Sequence, residues 1–283
     1  MRVAAVQLNS TDDKDRNLEV AERLVRGAAT SGAELIGLPE KWNVLGGTEA
    51  MRAGAEPLDG PTLSTVGSWA RELGVHVLAG SISELEPGHE KLRNTSTLIG
   101  PDGEIAAAYR KIHMFDVNVG GVSYRESAHE EAGTEIVTGR VGEVEIGLTV
   151  CYDLRFPELY RALAVRGAKL ITVPAAFTLH TGRDHWEVLL RARAIENQLF
   201  ILAPGQIGSA EPHYNSFGRS LIADPWGVVL ATAPDEECFI AAEVDFDRLE
   251  GVRAQLPSLA SRRPAVYSAA GGQAVSVARE VST

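Results

Sequence analysis

The sequence has very little cysteine and no long run of apolar residues. Its two cysteines, Cys151 and Cys238, stand in no CxxC or other metal-ligand spacing, so neither a disulfide framework nor a structural zinc site is indicated. No apolar run approaches the roughly 18 to 20 residues of a membrane-spanning helix. The amino terminus, MRVAAVQLNS, is typical of a first strand rather than a secretory signal, because it has one basic residue and a short apolar run. We therefore expect a cytoplasmic protein.

Positive charge is also in deficit. Lys and Arg together number 27 and Asp and Glu 38, which gives a formal net charge of −11. Such an acidic chain disfavours non-specific binding to nucleic acid or to an anionic membrane surface, so we expect neither as a partner. The nucleotide-binding loops GxGxxG and GxxxxGK[ST] are absent as well. A local basic pocket for a small anionic molecule remains compatible with this balance.

The apolar residues that are present alternate between strand-like and helical spacing. RVAAVQL predicts a buried strand, and the residues after it predict a helix that is capped by Asp12 or Asp13 and ends at Gly32. The turn signals Pro101-Asp102-Gly103 and Asp224-Pro225-Trp226-Gly227 predict two hairpins. No linker rich in Pro, Gly or Ser divides the 283 residues. We therefore predict one α/β domain in layers, with mixed sheets covered by helices.

Three predicted strands end at reactive side chains. Glu40 follows LIGLP, Lys111 follows AAAYR and Cys151 follows GLTV. Functional groups collect where a rigid strand aims a residue into a loop region. Each residue also has an ordinary explanation: a surface carboxylate, a solvated cation and a buried strand-end cysteine. Their separation along the chain leaves open whether they meet.

If they do meet, their chemistry is complementary. Cys151 could be a nucleophile, and the free N–H groups near Pro157, in the first turn of the next helix, could favour its thiolate. Glu40 in an apolar pocket could take its proton, and the ammonium of Lys111 could stabilise an oxyanion. A Cys-His hydrolase is the alternative, and its candidate bases are His113, His180, His185 and His213.

The segments LPE, YRKIHMFD and CYDLRFPELYRAL, in this order, resemble the signatures of the nitrilase superfamily, the carbon–nitrogen hydrolases with a Glu-Lys-Cys triad. The resemblance implies that Glu40 is the general base, Lys111 stabilises the tetrahedral intermediate and Cys151 is the nucleophile. It also implies that the backbone N–H of Tyr152 completes the oxyanion site. The reaction requires no metal or organic cofactor.

The family has a second glutamate near the triad. Glu126, in YRESAHEEAG, is the matching candidate, and Glu130 and Glu131 are the alternatives. The resemblance also implies a four-layer α-β-β-α sandwich over residues 1–267 and at least a homodimer, in which helices after Cys151 and near 184–198 pack across subunits. Residues 268–283 are small and polar without a clear period, so we expect a mobile or partner-packed tail.

The segment PAAFTLHTGRDHWEVLLRARAIENQ resembles the Nit branch, whose members hydrolyse amides of small dicarboxylic or peptide-like acids. CYDLRFPEL together with PAAF and RARAIENQ is more similar to the deaminated-glutathione amidase group than to the ω-amidase group. A polar acid substrate needs cationic or hydrogen-bonding groups in its pocket. The substrate-binding candidates are Arg155, Phe177, Thr178, Thr181 and His185.

Two segments depart from the branch pattern, and both lie near the expected pocket. TGRDHW has Arg183 and Asp184 where a small residue is usual, and SFGRS has Arg219 and its neighbours in place of GHS. The substrate therefore stays open between a deaminated-glutathione-like amide, an α-keto acid amide, and an N-carbamoyl or aliphatic amide. A catalytically silent, amidase-like interaction scaffold is the alternative of a different class.

Overall fold

The computed structural model describes residues 1–210, 212 and 214–270. The helices in this part of the chain are α1 Lys14–Thr30, α2 Thr48–Ala53, α3 Pro61–Leu73, α4 Pro157–Val165, α5 Leu179–Asn197, α6 Phe246–Gln255 and α7 Pro264–Ala270. The strands are β1 Arg2–Gln7, β2 Leu35–Gly37, β3 His76–Leu78, β4 Ile82–Glu84, β5 Arg93–Ile99, β6 Ile105–Arg110, β7 Asp116–Val119, β8 Val122–Arg125, β9 Thr138–Val141, β10 Val144–Leu148, β11 Leu170–Thr172, β12 Phe200–Ala203, β13 Ile207–Ala210, β14 Tyr214–Phe217, β15 Leu221–Ala223, β16 Val229–Thr232 and β17 Cys238–Glu243. Two short 3-10 helices span Glu126–Ala128 and Cys151–Arg155.

The strands form two mixed sheets and two separate hairpins. The first sheet has the order β17-β1-β2-β3-β5-β4, with β6 paired to β5, and its strands β1, β2 and β3 are parallel. The second has the order β16-β15-β12-β11-β10-β9, with β10, β11 and β12 parallel. In each of the hairpins β7-β8 and β13-β14, the two strands pair with each other and do not join either main sheet.

The two sheets pack face to face because their strands are apolar on both sides. In β1, Val3 and Ala5 belong to the core between the sheets, while Ala4 and Val6 belong to the core beneath α1 and α3. This alternation follows the period of two along a strand. A Cβ atom at Gly37 would lie 3.5 Å from the side chain of Leu202 on the opposite sheet, which shows how closely the sheets approach there.

Helices cover the outer face of each sheet. Helices α1 and α3 cover the first sheet, and α4 and α5 cover the second with buried residues such as Leu163 and Leu190. The layers therefore run helix, sheet, sheet, helix, and the predicted α-β-β-α sandwich is confirmed. No helix in the described residues is long and apolar enough to cross a membrane.

Several local predictions are also confirmed. Helix α1 is capped by Asp13, whose side chain accepts a hydrogen bond from the N–H of Arg16 at 3.0 Å, and it ends before Gly32. Both predicted hairpins form, as β5-β6 and β15-β16, and α4 begins at Pro157. Of the predicted tail, the first three residues belong to α7, and residues 271–283 lie outside the described part of the chain.

Candidate active site

The sandwich brings the three reactive strand ends to one place. Glu40 lies shortly after β2 and Lys111 directly after β6, both in the first sheet, and Cys151 lies shortly after β10 in the second. All three side chains are buried and line the same cavity. The stacking of the two sheets therefore brings together three residues whose spacing in the sequence did not show whether they meet.

Glu40 is held by three donors. Its Oε1 accepts hydrogen bonds from Lys111 Nζ at 3.0 Å and from Asn94 Nδ2 at 2.9 Å. Its Oε2 accepts from the backbone N–H of Ala176 at 2.8 Å. Because both of its oxygens accept hydrogen bonds, the carboxylate of Glu40 is held in one orientation toward the cavity.

Lys111 is buried between two carboxylates. Its Nζ donates to Glu126 Oε1 and Oε2 at 2.8 and 2.9 Å, in addition to Glu40. Burial alone would lower the pKa of Lys111, but the charges of Glu126 and Glu40 outweigh it and raise that pKa well above its usual value. The side chain is therefore an ammonium ion at any working pH, which suits electrostatic stabilisation and excludes a role as general base.

Glu126 is the acidic residue in direct contact with that lysine. It also accepts a hydrogen bond from the backbone N–H of Phe115 at 2.6 Å. Burial acts to raise the pKa of Glu126, but the ammonium groups of Lys111 and then Lys41 lower it to about 2. Glu126 is therefore an anion that anchors Lys111.

The two alternative glutamates have other partners. Glu130 Oε1 lies 2.5 Å from Lys41 Nζ, so this carboxylate pairs with a second lysine of the cavity rather than with Lys111. Glu131 is exposed and its carboxylate contacts His89 Nδ1 at 2.9 Å. Among the three candidates, Glu126 is the one whose carboxylate contacts Lys111.

Cys151 stands at a strained turn. It is the first residue of the 3-10 helix Cys151–Arg155 and has a φ of 46°. A residue other than glycine in this left-handed region costs about 1 to 3 kcal/mol, and such residues concentrate at functional sites. Its N–H donates to Pro174 O at 2.9 Å. The N–H of Tyr152 lies in the first turn of the helix, where backbone donors lack a partner within the helix.

The thiol of Cys151 is protonated in this environment. Burial, and next the negative charge of Glu40, raise the pKa of Cys151 well above its usual value, and the opposing charge of Lys111 does not compensate. The carboxylate of Glu40 is the charged group that acts most strongly on this thiol. The expected stabilisation of a thiolate by helix donors is thus outweighed by burial, so the nucleophile needs a base, and Glu40 is in contact with it.

The histidines named for a Cys-His hydrolase are placed differently. His113 Nδ1 lies 2.7 Å from Asp153 Oδ1, and the ring stacks on Phe156. His113, His180 and His185 do not line the cavity, and His213 lies outside the described residues. The described part of the chain therefore supplies Glu40, and none of these histidines, as the base in contact with the thiol.

The cavity has a volume of about 370 Å³, within the usual range for sites that bind small molecules. Among its lining residues, those with apolar or aromatic side chains include Leu45, Met51, Phe115, Val122, Tyr124 and Phe177. Mostly apolar walls with a few charged groups can exclude water from a reacting thiol and still fix the orientation of a polar substrate.

Residues 2–254 match the family model described as carbon-nitrogen hydrolase. The chain belongs to the carbon–nitrogen hydrolase family. The predicted relationship to the nitrilase superfamily and its Nit branch is confirmed, and the protein is a hydrolase that acts on carbon–nitrogen bonds other than peptide bonds.

Relatives of this carbon–nitrogen hydrolase cover nearly its whole length. The deaminated glutathione amidase of Synechocystis sp. is 43% identical over 263 residues, which cover 92% of this chain and 97% of that protein. The omega-amidase of Homo sapiens is 36% identical over 268 residues, which cover 94% of this chain and 96% of that protein.

Solved structures agree with the fold. The NitFhit protein of C. elegans has 34% sequence identity and a TM-score of 0.87 over 94% of this chain, and this chain spans 66% of that longer one. A branch 10 member of the nitrilase superfamily from Saccharomyces cerevisiae has 31% identity and a TM-score of 0.83, with coverage of 91% and 94%.

Four of the five substrate-binding candidates line the cavity of this carbon–nitrogen hydrolase. They are Arg155, Phe177, Thr178 and Thr181. The guanidinium of Arg155 lies 5.1 Å from the ring centre of Phe177, which supports it from one side. The hydroxyl of Thr178 caps α5 and lies 2.8 Å from that of Thr181. Arg155 is therefore the cationic candidate among these four.

The prediction that His185 contacts the substrate is not supported by its position. His185 lies on the exposed side of α5, outside the lining of the cavity, and its Nδ1 is 3.2 Å from Arg155 Nη1. His185 lies two turns further along the helix than Thr178, about 10 Å at a rise of 1.5 Å per residue, which places it beyond the cavity wall. Its contact with the site runs through Arg155.

The two departures from the branch pattern lie at a different cavity. Arg183 and Arg219 line a second cavity of about 520 Å³, where Arg219 pairs with Asp235 at 2.9 Å. The carbonyl of Arg219 accepts a hydrogen bond from Trp186 Nε1 at 2.8 Å. Trp186 is buried, in agreement with a role in packing rather than in the wall of the active-site cavity.

Sequence reasoning missed one wall of the active-site cavity and also Lys41. Residues 122–125 of the β7-β8 hairpin and several residues between 45 and 51 line the cavity. These segments are short and lack a clear period, so their position depends on tertiary packing. Lys41 also lines the cavity, and its place directly after Glu40 was a signal that could have identified it.

Proposed function

We propose that this protein is a thiol amidase that hydrolyses the C–N bond of a small, carboxylate-bearing amide through a thioester on Cys151. The convergence of a buried thiol, carboxylate and ammonium in one cavity, with Glu40 in contact with both other groups, carries this proposal. Glu40, Lys111 and Cys151 are the proposed catalytic triad, with Glu126 and the backbone N–H of Tyr152 in support.

The first half-reaction forms the thioester. Glu40 takes the thiol proton as the sulfur of Cys151 attacks the amide carbon, and negative charge develops on the carbonyl oxygen. The ammonium of Lys111 and the N–H of Tyr152 stabilise that oxyanion. Glu40 then gives its proton to the leaving nitrogen, the C–N bond breaks, and ammonia or an amine departs.

The second half-reaction consumes one water molecule. Glu40 removes a proton from the water as its oxygen attacks the thioester carbon, and the same oxyanion donors act again. The C–S bond then breaks, the acid is released, and the proton returns to the sulfur of Cys151. Because Asn94 and Ala176 hold the carboxylate in one orientation, Glu40 serves both half-reactions without moving.

Arg155 is the proposed contact for the substrate carboxylate. It lies four residues after Cys151 in the 3-10 helix, which places their Cα atoms about 8 Å apart at a rise of about 2.0 Å per residue. An acyl group of a few carbons with a distal carboxylate can span such a distance, and its carboxylate can pair with the guanidinium. Simple aliphatic amides lack that second anchor.

A deaminated-glutathione-like amide is the proposed substrate. It is supported by the 43% identical relative from Synechocystis sp., which carries the name deaminated glutathione amidase. The alternative, an α-keto acid amide, is supported by relatives named omega-amidase, at 36% identity in the human case. The two classes differ in the group that leaves, an amine in the first and ammonia in the second.

Mass spectrometry of the intact protein tests the reaction. Incubation with a cleaved amide should add the mass of the acyl group to Cys151, and Cys151→Ala should lose both adduct and turnover. Full amide turnover by Cys151→Ala would disprove the nucleophile assignment. Lys111→Ala with full activity, together with an inactive His113→Ala or His185→Ala, would favour the Cys-His mechanism. Absence of turnover with every substrate would favour the non-enzymatic scaffold.

A substrate screen tests the specificity. Turnover should be compared for deaminated glutathione, α-ketoglutaramate, simple aliphatic amides, N-carbamoyl amino acids and nitriles, with detection of both ammonia and released amine. Arg155→Met should weaken binding of the carboxylate-bearing amides and leave that of the aliphatic amides unchanged. Preference for a nitrile or a carbamoyl compound would overturn the proposed substrate class.

The remaining expectations concern partners and location. We propose a homodimer or higher homo-oligomer, which is supported by the exposed apolar side chains of Val188 and Ile195 on α5. The net charge of −11 supports the absence of nucleic acid and of an anionic membrane surface among the partners. A cytoplasmic location is supported by the two cysteines, which are both free of disulfide bonds.

A further inference from the structure

Lys41 is a second buried lysine in the active-site cavity. It follows Glu40 directly, has a φ of 50° and is only 4% exposed. Its backbone N–H donates to Ser81 Oγ at 3.1 Å, which fixes the turn. Successive residues thus send one carboxylate and one ammonium into the same site.

The side chain of Lys41 reaches two glutamates. Its Nζ lies 2.5 Å from Glu130 Oε1 and 3.7 Å from Glu126 Oε1. The same Oε1 of Glu126 lies 2.8 Å from Lys111 Nζ. The order of charges is therefore Lys111, Glu126, Lys41 and Glu130, with each carboxylate next to an ammonium.

Without Lys41, two carboxylates would face each other in a buried site. Glu126 and Glu130 are one turn apart, since the N–H of Glu130 donates to the carbonyl of Glu126 at 2.9 Å. Like charges at this spacing repel each other, and burial strengthens that effect. Glu130 would bind a proton first, and loss of the Lys41 charge would also raise the pKa of Glu126, so that Glu126 is protonated at a higher pH and no longer attracts Lys111 as an ion there.

Glu130 is the weaker of the two acids. Its Oε2 is buried and has no hydrogen-bond partner among the described residues. Burial raises the pKa of Glu130 to about 7, with a further contribution from Glu126, although Lys41 acts in the opposite direction. The same Lys41 lowers the pKa of Glu126. Lys41 therefore favours the ionised state of both glutamates.

We propose that Lys41 is a positioning residue that keeps Glu126 ionised and thereby holds Lys111 where the oxyanion of the reaction forms. This inference rests on the proposed hydrolysis at Cys151. Lys41 acts through Glu126 and need not touch the substrate. The charged and titratable groups around it are Glu40, Lys111, Glu126 and Glu130, with Arg125 and His129 on the same wall of the cavity. The guanidinium of Arg125 is bound to the carbonyls of its own hairpin.

The test compares pH profiles of kcat for wild type, Lys41→Met, Lys41→Arg, Glu130→Gln and the double variant Lys41→Met/Glu130→Gln. Lys41→Met should move the acid limb of kcat to higher pH, by about 1 to 3 pH units for loss of a cation within 4 to 6 Å. KM should change little. Lys41→Arg should restore the limb, and Glu130→Gln should not move it upward. The double variant should resemble Lys41→Met, because without Lys41 the buried Glu130 is protonated over the acid limb and carries no repelling charge.

A matched control separates this role from a loss of packing or overall charge. Lys169→Met removes a lysine of the exposed ion pair with Glu250 and should leave the profile unchanged. If Lys41→Met has the wild-type profile, or loses kcat equally at every pH, Lys41 is not a positioning residue. If wild type forms no acyl adduct with any amide, the proposed function fails instead, so the two failures are distinguishable. Thermal unfolding identifies a variant that does not fold. If Lys41→Met does not fold, the pH profile of kcat for Lys41→Arg decides instead.

Discussion

At the scale of single residues, Lys111 illustrates how burial and charge together determine a role. It is 2% exposed, yet two carboxylates hold it in the charged state. A buried ammonium with no proton to give up at working pH stabilises negative charge as a fixed positive group. This is the state required where a carbonyl oxygen becomes an oxyanion.

Lys111→Met should therefore affect the transition state more than binding. We expect kcat/KM to fall by about 10²- to 10³-fold, the usual cost of removing one oxyanion donor, with most of the loss in kcat. Steady-state kinetics on the amide selected by the screen measures this, with Lys169→Met as control. An unchanged kcat would show that Lys111 is structural.

The protonated state of Cys151 leads to a second prediction. Because burial and Glu40 raise the pKa of its thiol, wild type should react slowly with iodoacetamide near neutral pH, and more quickly as pH rises beyond the ordinary thiol range. Glu40→Gln removes the neighbouring negative charge, so it should lower that pKa and speed alkylation at neutral pH. The same variant should lose amide turnover.

The measurement is the rate of alkylation by mass spectrometry against pH, in a Cys238→Ser background that leaves one thiol. Equal rates for wild type and Glu40→Gln across the pH range would contradict the electrostatic account of Cys151. Because loss of the fold would also expose this buried thiol and speed its alkylation, the distinctive result is an alkylation profile shifted to lower pH in a Glu40→Gln variant whose thermal unfolding matches wild type.

Glu40, Lys111 and Cys151 could be named from the sequence because each follows a strand in a recognisable local motif. Glu126 could be named only together with Glu130 and Glu131, because three glutamates close in sequence have similar local contexts. The contact of Glu126 with Lys111 and of Glu130 with Lys41 decides between them, and both contacts depend on the folded chain. His185 shows the converse, since this plausible ligand lies about two helical turns beyond Thr178 and outside the cavity lining.

At the scale of secondary structure elements, the 3-10 helix Cys151–Arg155 depends on Asp153. This fully buried carboxylate accepts hydrogen bonds from Tyr109 Oη at 2.7 Å and from the N–H of Val150 at 2.8 Å. Its other oxygen contacts His113. Asp153 therefore ties the turn that carries Cys151 to the end of β6 and to the residues after Lys111.

Asp153→Ala should remove this tie and leave its donors unsatisfied. We expect the free energy of unfolding to fall by about 2 to 3 kcal/mol, as for loss of a buried, charged hydrogen-bond partner. Asp153→Asn should cost less, because its amide oxygen can still accept. Urea unfolding measures stability, and kcat should fall in parallel because the Cys151 turn moves.

Asp13→Ala, which removes the N-cap of α1, is the matched control. It should cost about 0.5 to 2 kcal/mol and leave kcat unchanged, since the cap lies outside the cavity lining. If Asp153→Ala were as active as Asp13→Ala, the turn would not depend on this carboxylate.

At the scale of the whole molecule, the site exists because two sheets stack. Glu40 and Lys111 come from one sheet and Cys151 from the other, and the cores on both sides of β1 hold the layers in register. Alternating strand and helix patterns predicted these layers from the sequence. The sequence patterns did not predict the β7-β8 hairpin as part of the cavity wall, because that hairpin pairs with neither main sheet and its place depends on tertiary packing.

The proposed assembly of subunits also belongs to the scale of the whole molecule, and the exposed apolar face of α5 is its candidate interface. Val188 and Ile195 are seven residues apart on α5, so they share one face of the helix, and they are 65% and 48% exposed. Ile195 packs beside Gly227 of the β15-β16 turn, whose neighbours Trp226 and Val228 are also exposed. A contiguous apolar surface of this kind marks an interface more often than an isolated exposed side chain does.

The double variant Val188→Glu/Ile195→Glu should therefore reduce the proposed homo-oligomer to a monomer, because buried charges at an apolar interface lack partners. Light scattering after size-exclusion chromatography measures the mass. Both side chains are already exposed in the single chain, so the unfolding temperature of the separated monomer should reflect only the lost association. Leu85→Glu, at an exposed leucine after β4, is the control and should keep the wild-type mass. A monomeric wild type, or a double variant with the wild-type mass, would exclude this face of α5 as the interface.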